Sequence, residues 1–241
     1  MTAIVPTPWP PAEFEPAAPH VFSLDLTGPA DLEVLSTEER ARAQRFATAT
    51  LTRRWSRARS GLRRVLAAYA QTEPDAITIE PAACVHCGEP HGKPYLADPP
   101  LDSLRFNLSH SGDLAVVAVA RDREVGVDVE AARSGRRMEG IAARWFNATE
   151  AETLRGLGEA ESEAMFYRLW ARKEAYLKAT AEGIAGSLAS FDALRLEPPG
   201  GAGGWEFADL DVGSGYAGAL ALAPPGFVPA TALAGDEPRS R

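Results

Sequence analysis

The chain is expected to fold as an α+β protein of two lobes, and three observations carry that expectation. Short runs alternate apolar and polar residues with period two. Longer runs repeat apolar residues at helical spacing. The order strand, helices, strands occurs once in each half of the 241 residues. No exact internal repeat accompanies that order, so the duplication rests on the succession of elements alone. The halves are expected to meet near Arg121–Glu124, giving an N-terminal lobe over 20–122 and a C-terminal lobe over 123–234.

Residues 1–19 hold six prolines and read as an extended or disordered arm. VFSLDL, 21–26, alternates and predicts a strand. STEER, from Ser36, has a hydroxyl cap followed by acids, the form of a helix N-terminus. A second helix is expected from about Leu51 to Tyr69, with Leu62, Val65, Leu66 and Tyr69 as its buried stripe. ITIE, 77–80, predicts a short strand, and the Gly- and Pro-rich CGEPHGKP a loop. LRFNLSH and LAVVAVA (114–120) read as two strands joined by Ser111, Gly112 and Asp113. VGVDVE, 125–130, predicts a third. Helical spacing then covers 141–146, 149–157 and 161 to about 180. SFDALRLE, WEFADLDV and GYAGALALA predict a late β meander with a turn at GGAGG, and residues 235–241 a loose tail.

Composition narrows the function. With 45% hydrophobic and 24% charged residues, wholesale disorder and a fibrous structure are excluded. The longest apolar run, Leu114–Ala120, is far short of the roughly 18 residues a membrane span needs. No basic segment and apolar core of a secretory signal is visible, so a cytoplasmic protein is expected. Two cysteines cannot build a disulfide scaffold. The net charge of -8 argues against general nucleic-acid binding. Yet between Ser36 and Tyr69 stand Arg40, Arg42, Arg45, Arg53, Arg54, Arg57, Arg59, Arg63 and Arg64, against only Glu38 and Glu39. Such a segment is either a solvated helix face or a local anion site.

Four stretches carry side chains suited to chemistry, and each has a plain reading beside the functional one. In GVDVE, Asp128 and Glu130 project from the same side of a strand. They form either a solvent-facing edge or an oxygen-ligand pair of the kind magnesium takes. In LWARKEAYLKA, Glu174 and Lys178 are i and i+4 on a helix, with Trp170, Ala171, Ala175 and Leu177 as apolar packing. They are either a surface ion pair, or a ligand or base beside a phosphate contact. FNLSHSG sets Ser109 next to His110; neighbours in sequence rarely face one another, so phosphate binding suits them better than a nucleophile and its base. In HGKPYL, Gly92 permits close backbone approach and Lys93 offers a mobile cation.

Taken together, GKP, FNLSHSG, GVDVE, WFNATE and LWARKEAYLKA resemble, in order and spacing, the signature set of the Sfp-type 4′-phosphopantetheinyl transferases. The resemblance runs from about Ser36 to Gly186. It implies two similar α/β lobes related by pseudo-twofold symmetry, with the active site between them. It also implies an enzyme that moves the phosphopantetheine arm of coenzyme A onto a serine of an acyl or peptidyl carrier protein. The other product is adenosine 3′,5′-bisphosphate.

On this resemblance the magnesium ligands fall on Asp128, Glu130 and Glu174. Glu174 is also the general base, directly or through water, and Lys178 contacts the phosphates. Ser109 and His110, with Asn107 nearby, match coenzyme A phosphate contacts, and Lys93 and Pro94 the loop beside the adenine. Arg59 matches a basic coenzyme A ligand, with Arg54 and Arg42 as helpers for the 3′-phosphate. Glu39 departs from the pattern, standing where a well-known member has a lysine. CVHCGEPH, with Cys84, His86, Cys87 and His91, imitates half a zinc site but reads as a plain loop with reduced thiols, for want of a second Cys pair. The length favours a monomer over the shorter, trimeric carrier-protein synthases. Two other readings compete: a non-catalytic homologue that binds coenzyme A or carrier proteins, against which the intact acidic and lysine positions argue, and another magnesium-dependent phosphate enzyme.

Overall fold

The computed structural model describes residues 18–97, 103–133, 138–183, 188–201 and 203–229. Nearly all of the arm expected over 1–19, and the whole tail over 235–241, lie outside them. The first half contains β1 (His20–Asp25), α1 (Thr37–Ala43), α2 (Ala49–Ala70), β2 (Ile79–Pro81), β3 (Pro94–Leu96), β4 (Leu104–Ser111) and β5 (Leu114–Arg121). The second contains β6 (Val125–Ala131), α3 (Met138–Trp145), α4 (Ala148–Arg155), α5 (Glu159–Thr180), β7 (Glu206–Leu210) and β8 (Tyr216–Leu222).

Strands pair antiparallel in two three-stranded sheets, ordered β1-β5-β4 and β6-β8-β7, with β2 and β3 as a separate ribbon. Alternation along the strands divides the core into layers. Phe22, Val117 and Val119 face α2, where they pack on Leu62, Val65 and Leu66. Val21, Val116 and Ala118 point the other way and meet Val127, Val129 and Leu220 of the second sheet. The opposite face of that sheet presents Ala219 and Ala221 to Ala171, Ala175 and Ala179 of α5. Each large aliphatic side chain buried in these layers contributes about 1.5–3 kcal/mol.

Helix starts follow local chemistry. Ser36 caps α1, and Glu39 closes the capping box by accepting the Ser36 amide at 3.0 Å. Asn147 and Glu150 form the same box on α4.

The structure departs from the sequence expectations at four places. Ile77 ends a 3-10 turn over Pro74–Ala76, so the strand in ITIE begins only at Ile79. The end of CGEPHGKP joins a strand, because Pro94–Leu96 pairs with Ile79–Pro81. Ser111 belongs to β4 and pairs with Leu114, leaving a two-residue turn of Gly112 and Asp113. SFDALRLE is no strand: it starts at the last residue of the 3-10 turn Leu188–Ser190 and holds one isolated bridge, Asp192 with Glu197. Its backbone bonds go instead to buried side chains. Glu150 accepts the Ala193 amide at 2.7 Å, Arg172 donates to the Ala193 carbonyl at 2.8 Å, and Lys173 donates to the Phe191 carbonyl and, just before the segment, to that of Leu188. The meander is therefore a two-stranded hairpin.

Candidate active site

The site begins at Gly126. A Cβ there would overlap the Ala175 carbonyl oxygen and lie 2.5 Å from the Ala179 amide nitrogen. Without one, α5 lies directly on β6. Ala221 and Ala219, the β8 partners of Gly126 and Asp128, extend the same small-residue face. Glu174 and Lys178 each precede one of the contacting alanines. Close packing of helix on strand thus carries them to Asp128, two residues along β6 from the glycine.

A second set of contacts joins β4 to β6. The Val127 amide donates to Asn107 Oδ1 at 3.0 Å, and Ser109 Oγ donates to Asp128 Oδ1 at 2.7 Å. Ser111 Oγ donates to Glu130 Oε2 and accepts from the Ala131 amide, both at 3.1 Å. Partners advance together along both strands, so β4 and β6 run side by side in the same direction. Side chains at alternate positions of β4, rather than backbone ladders, close the gap between the two sheets.

Lys178 Nζ completes the cluster, 2.6 Å from Asp128 Oδ1, 2.9 Å from Ser109 Oγ and 3.3 Å from the Val127 carbonyl. Asp128 and Glu174 are both buried, yet Asp128 Oδ2 and Glu174 Oε1 have no hydrogen-bond partner. Burial, then the charges of Asp128 and Glu130, push Glu174 up to about 7, with Lys178 opposing. Three carboxylates face one ammonium, leaving two negative charges when all are ionised. Two orphaned, buried carboxylate oxygens in an all-oxygen donor set fit a hard divalent cation such as magnesium. The three carboxylates are not gathered within 4.8 Å of one another; among the described residues, the group of three ligand atoms that is comprises Cys84, Cys87 and His91.

Next to β4 opens a cavity of about 840 Å³, lined by Arg42, Trp55, Arg59, Arg63, Pro94, Asn107 and His110 among others. Glu39 organises its basic wall. It receives Arg59 at 2.5 Å and Arg63 at 2.6 Å, which hold its carboxyl below the usual range against the cost of burial. Arg42 lies 5.6 Å over the Trp55 ring and has no carboxylate partner among the described residues. Burial and the Lys178 charge hold His110 below its ordinary value.

Other sequence-predicted residues stand elsewhere. Arg54 pairs with Asp113 at the β4–β5 turn, 2.8 Å away, and does not line this cavity. Lys93 is enclosed: its ammonium binds Glu124 at 2.6 Å and the Val125 carbonyl at 2.8 Å. Burial lowers its pKa while Glu124 resists. Lys93 and Pro94 line a 700 Å³ cavity and, with Lys178, one of about 440 Å³.

Sequence reasoning missed Ser111, Glu124 and the pair Glu150–Lys173. The two-residue step from Ser109 to Ser111 was the one available signal for the first. Glu150 and Lys173 sit 2.8 Å apart, both with no exposed surface. They brace the start of α4 against the middle of α5.

This arrangement of sheets, helix and acidic cluster coincides with two matches to known families. Residues 124–215 match the model of the 4′-phosphopantetheinyl transferase superfamily, and residues 29–122 that of the 4′-phosphopantetheinyl transferase N-terminal region. The chain belongs to the 4′-phosphopantetheinyl transferase superfamily. Among individual relatives, it is 41% identical to the 4′-phosphopantetheinyl transferase HetI of a Nostoc species over 152 residues, 63% of this chain and 61% of that one. It is 37% identical to the 4′-phosphopantetheinyl transferase psf-1 of Bacillus pumilus over 163 residues, covering 68% and 65%. A Bacillus subtilis 4′-phosphopantetheinyl transferase is 34% identical over 125 residues, covering 52% and 53%. The chain thus spans less than two thirds of the length of each of these relatives.

Proposed function

We propose that the chain transfers the 4′-phosphopantetheine arm of coenzyme A to a serine hydroxyl of an acyl or peptidyl carrier protein. The observation that carries this reading is the meeting of Asp128, Glu174 and Lys178 where β6, α5 and β4 converge. In the reaction, the serine oxygen forms a bond to the phosphorus bearing pantetheine. The bond from that phosphorus to the bridging pyrophosphate oxygen breaks, and adenosine 3′,5′-bisphosphate leaves with the electron pair. Glu174 takes the serine proton, directly or through one water. Lys178, partly exposed beside the 440 Å³ cavity, meets the phosphates. Magnesium, held by Asp128, Glu130 and Glu174, supplies neutralisation of the pyrophosphate charge.

The nucleotide occupies the cavity walled by Arg42, Arg59 and His110, where Arg42 is the cation free to meet the 3′-phosphate. Because Glu39 takes up Arg59 and Arg63, Arg59 acts chiefly by shaping that wall. Ser109 and Asn107 position Asp128 and β6, and Lys93 steadies the loop beside Pro94. In this reading the lobes are residues 20–122 and 123–234, related by pseudo-twofold symmetry, with substrate between them. The protein works as a monomer in the cytoplasm; among the described residues no helix is long and apolar enough to cross a membrane.

The test is the mass of fatty-acid, polyketide and nonribosomal-peptide carriers incubated with coenzyme A and magnesium. A gain of one phosphopantetheine group, lost in Glu174→Gln, is expected. No gain on any carrier, or normal transfer by Glu174→Gln, would overturn the proposal. In Lys178→Ala, coenzyme A affinity and turnover should both fall, and Lys178→Arg should recover part of the affinity.

A further inference from the structure

The loop CVHCGEPH lies outside the cluster described above, yet it holds the tightest group of soft ligand atoms among the described residues. Cys84 Sγ, Cys87 Sγ and a ring nitrogen of His91 all lie within 4.8 Å of one another, and Cys87 Sγ is 3.0 Å from His91 Nε2. We propose that Cys84, Cys87 and His91 bind one zinc ion, with the fourth coordination position open to solvent.

Four observations support the site. Two thiolates and an imidazole are the donor set zinc prefers over magnesium or calcium, and Cys-x-x-Cys is a common ligand spacing. The spread of the atoms suits the ion: Zn–S near 2.3 Å and Zn–N near 2.0–2.1 Å place tetrahedral ligands roughly 3.5–3.8 Å apart. Cys87 and His91 need only part by about half an ångström.

The backbone is also shaped for it. The Gly88 amide donates to the Cys84 carbonyl at 2.8 Å, closing a turn in which Gly88 has φ +77°, a conformation that glycine adopts without strain. The Cys84 amide returns to Glu89 O at 2.8 Å, so both arms of the loop are tied. Within this turn the amides of His86 and Cys87 point at the Cys84 sulfur.

Finally, the site is reachable, and its neighbours define what the ion would do. Cys87 and His91 are exposed, whereas His86 turns away to bond the Glu182 carbonyl at 3.0 Å, just beyond the end of α5. Zinc would therefore lock the loop between β2 and β3 in the form that meets α5. That loop continues through Gly92, whose amide bonds Ala82 O at 2.8 Å, into Lys93 and Pro94. The ion would thus hold one wall of the 440 Å³ cavity in place, with water as its fourth ligand.

The test is zinc titration of the reduced full chain in competition with a chromophoric chelator, with total zinc measured after gel filtration. One equivalent per chain is expected. Cys84→Ser, Cys87→Ser and His91→Ala should each weaken binding by at least about a hundredfold. His86→Ala should retain it, because that ring is committed to Glu182. Cobalt loading should give the thiolate-to-metal absorption band that a donor set of two sulfurs requires. Circular dichroism of each variant separates loss of the site from loss of the fold. Less than a tenth of an equivalent retained by the wild type would overturn the proposal. So would zinc retention in a folded His91→Ala, or equal loss in His86→Ala.

Discussion

Lys178 reaches Asp128 on β6, 2.6 Å away, and not Glu174, one turn earlier on its own helix. An i,i+4 pair on an exposed helix would have tied the lysine to its glutamate and left both at the surface. Instead the ammonium is spent across elements, and Glu174 keeps a buried oxygen without a partner. The carboxyl so isolated has its pKa raised to near neutrality, which a solvated helical pair would not show.

Stability should depend on pH through Glu174. Its folded value, about 7, lies above the ordinary 4.5, so the folded chain holds a proton that the unfolded chain releases between those two values. Stability from this group is complete below about 4.5 and is lost as the pH rises through 7. Glu174→Gln cannot titrate, so its stability relative to wild type should rise across that window. Urea unfolding with a chelator present measures this, and parallel curves would refute it.

Gly126→Ala should disrupt the seat of α5. The atoms in the way are backbone, which cannot swing aside, so the cost should reach at least the upper part of the about 1–3 kcal/mol usual for overpacking. Denaturant midpoints check it. A variant as stable as wild type would mean that α5 tolerates lifting off β6.

The cation is tested by heat. Magnesium should raise the unfolding midpoint of the wild-type chain, because a ligand that binds only the folded state stabilises it. Asp128→Asn should abolish that rise and lower transfer at least about a hundredfold, several kcal/mol of charge stabilisation being lost. Its intrinsic stability should also fall, since Lys178 and Ser109 both rely on the carboxylate. An equal magnesium response in both proteins would place the ion elsewhere.

Glu150→Ala should be among the costliest substitutions. It strands the wholly buried Lys173 ammonium and frees the Ala193 amide, and breaking such a pair costs about 3–5 kcal/mol. A double variant, Glu150→Ala with Lys173→Met, should recover part of the loss. If the double variant loses the sum of the two single changes, the pair is not coupled.

Local patterns in the sequence determined most of the elements and the direction of the key side chains. The alternation of VGVDVE puts Asp128 and Glu130 on one side of β6 because successive strand residues face opposite ways. The caps at Ser36 and Asn147 are equally local, since each hydrogen bond closes within three residues. Only the tertiary structure decided the partners. Ser109 lies 19 positions from Asp128, and Lys178 lies 50 from it, so no periodicity links them. SFDALRLE alternates like a strand, but Glu150, Arg172 and Lys173 of other elements bind its backbone in place of a neighbouring strand. Lys93 looked like a mobile cation until Glu124 and the Val125 carbonyl enclosed it. A side chain's direction follows from the backbone torsions of its own segment. Its burial, its partner and therefore its charge state depend on segments brought together only by packing.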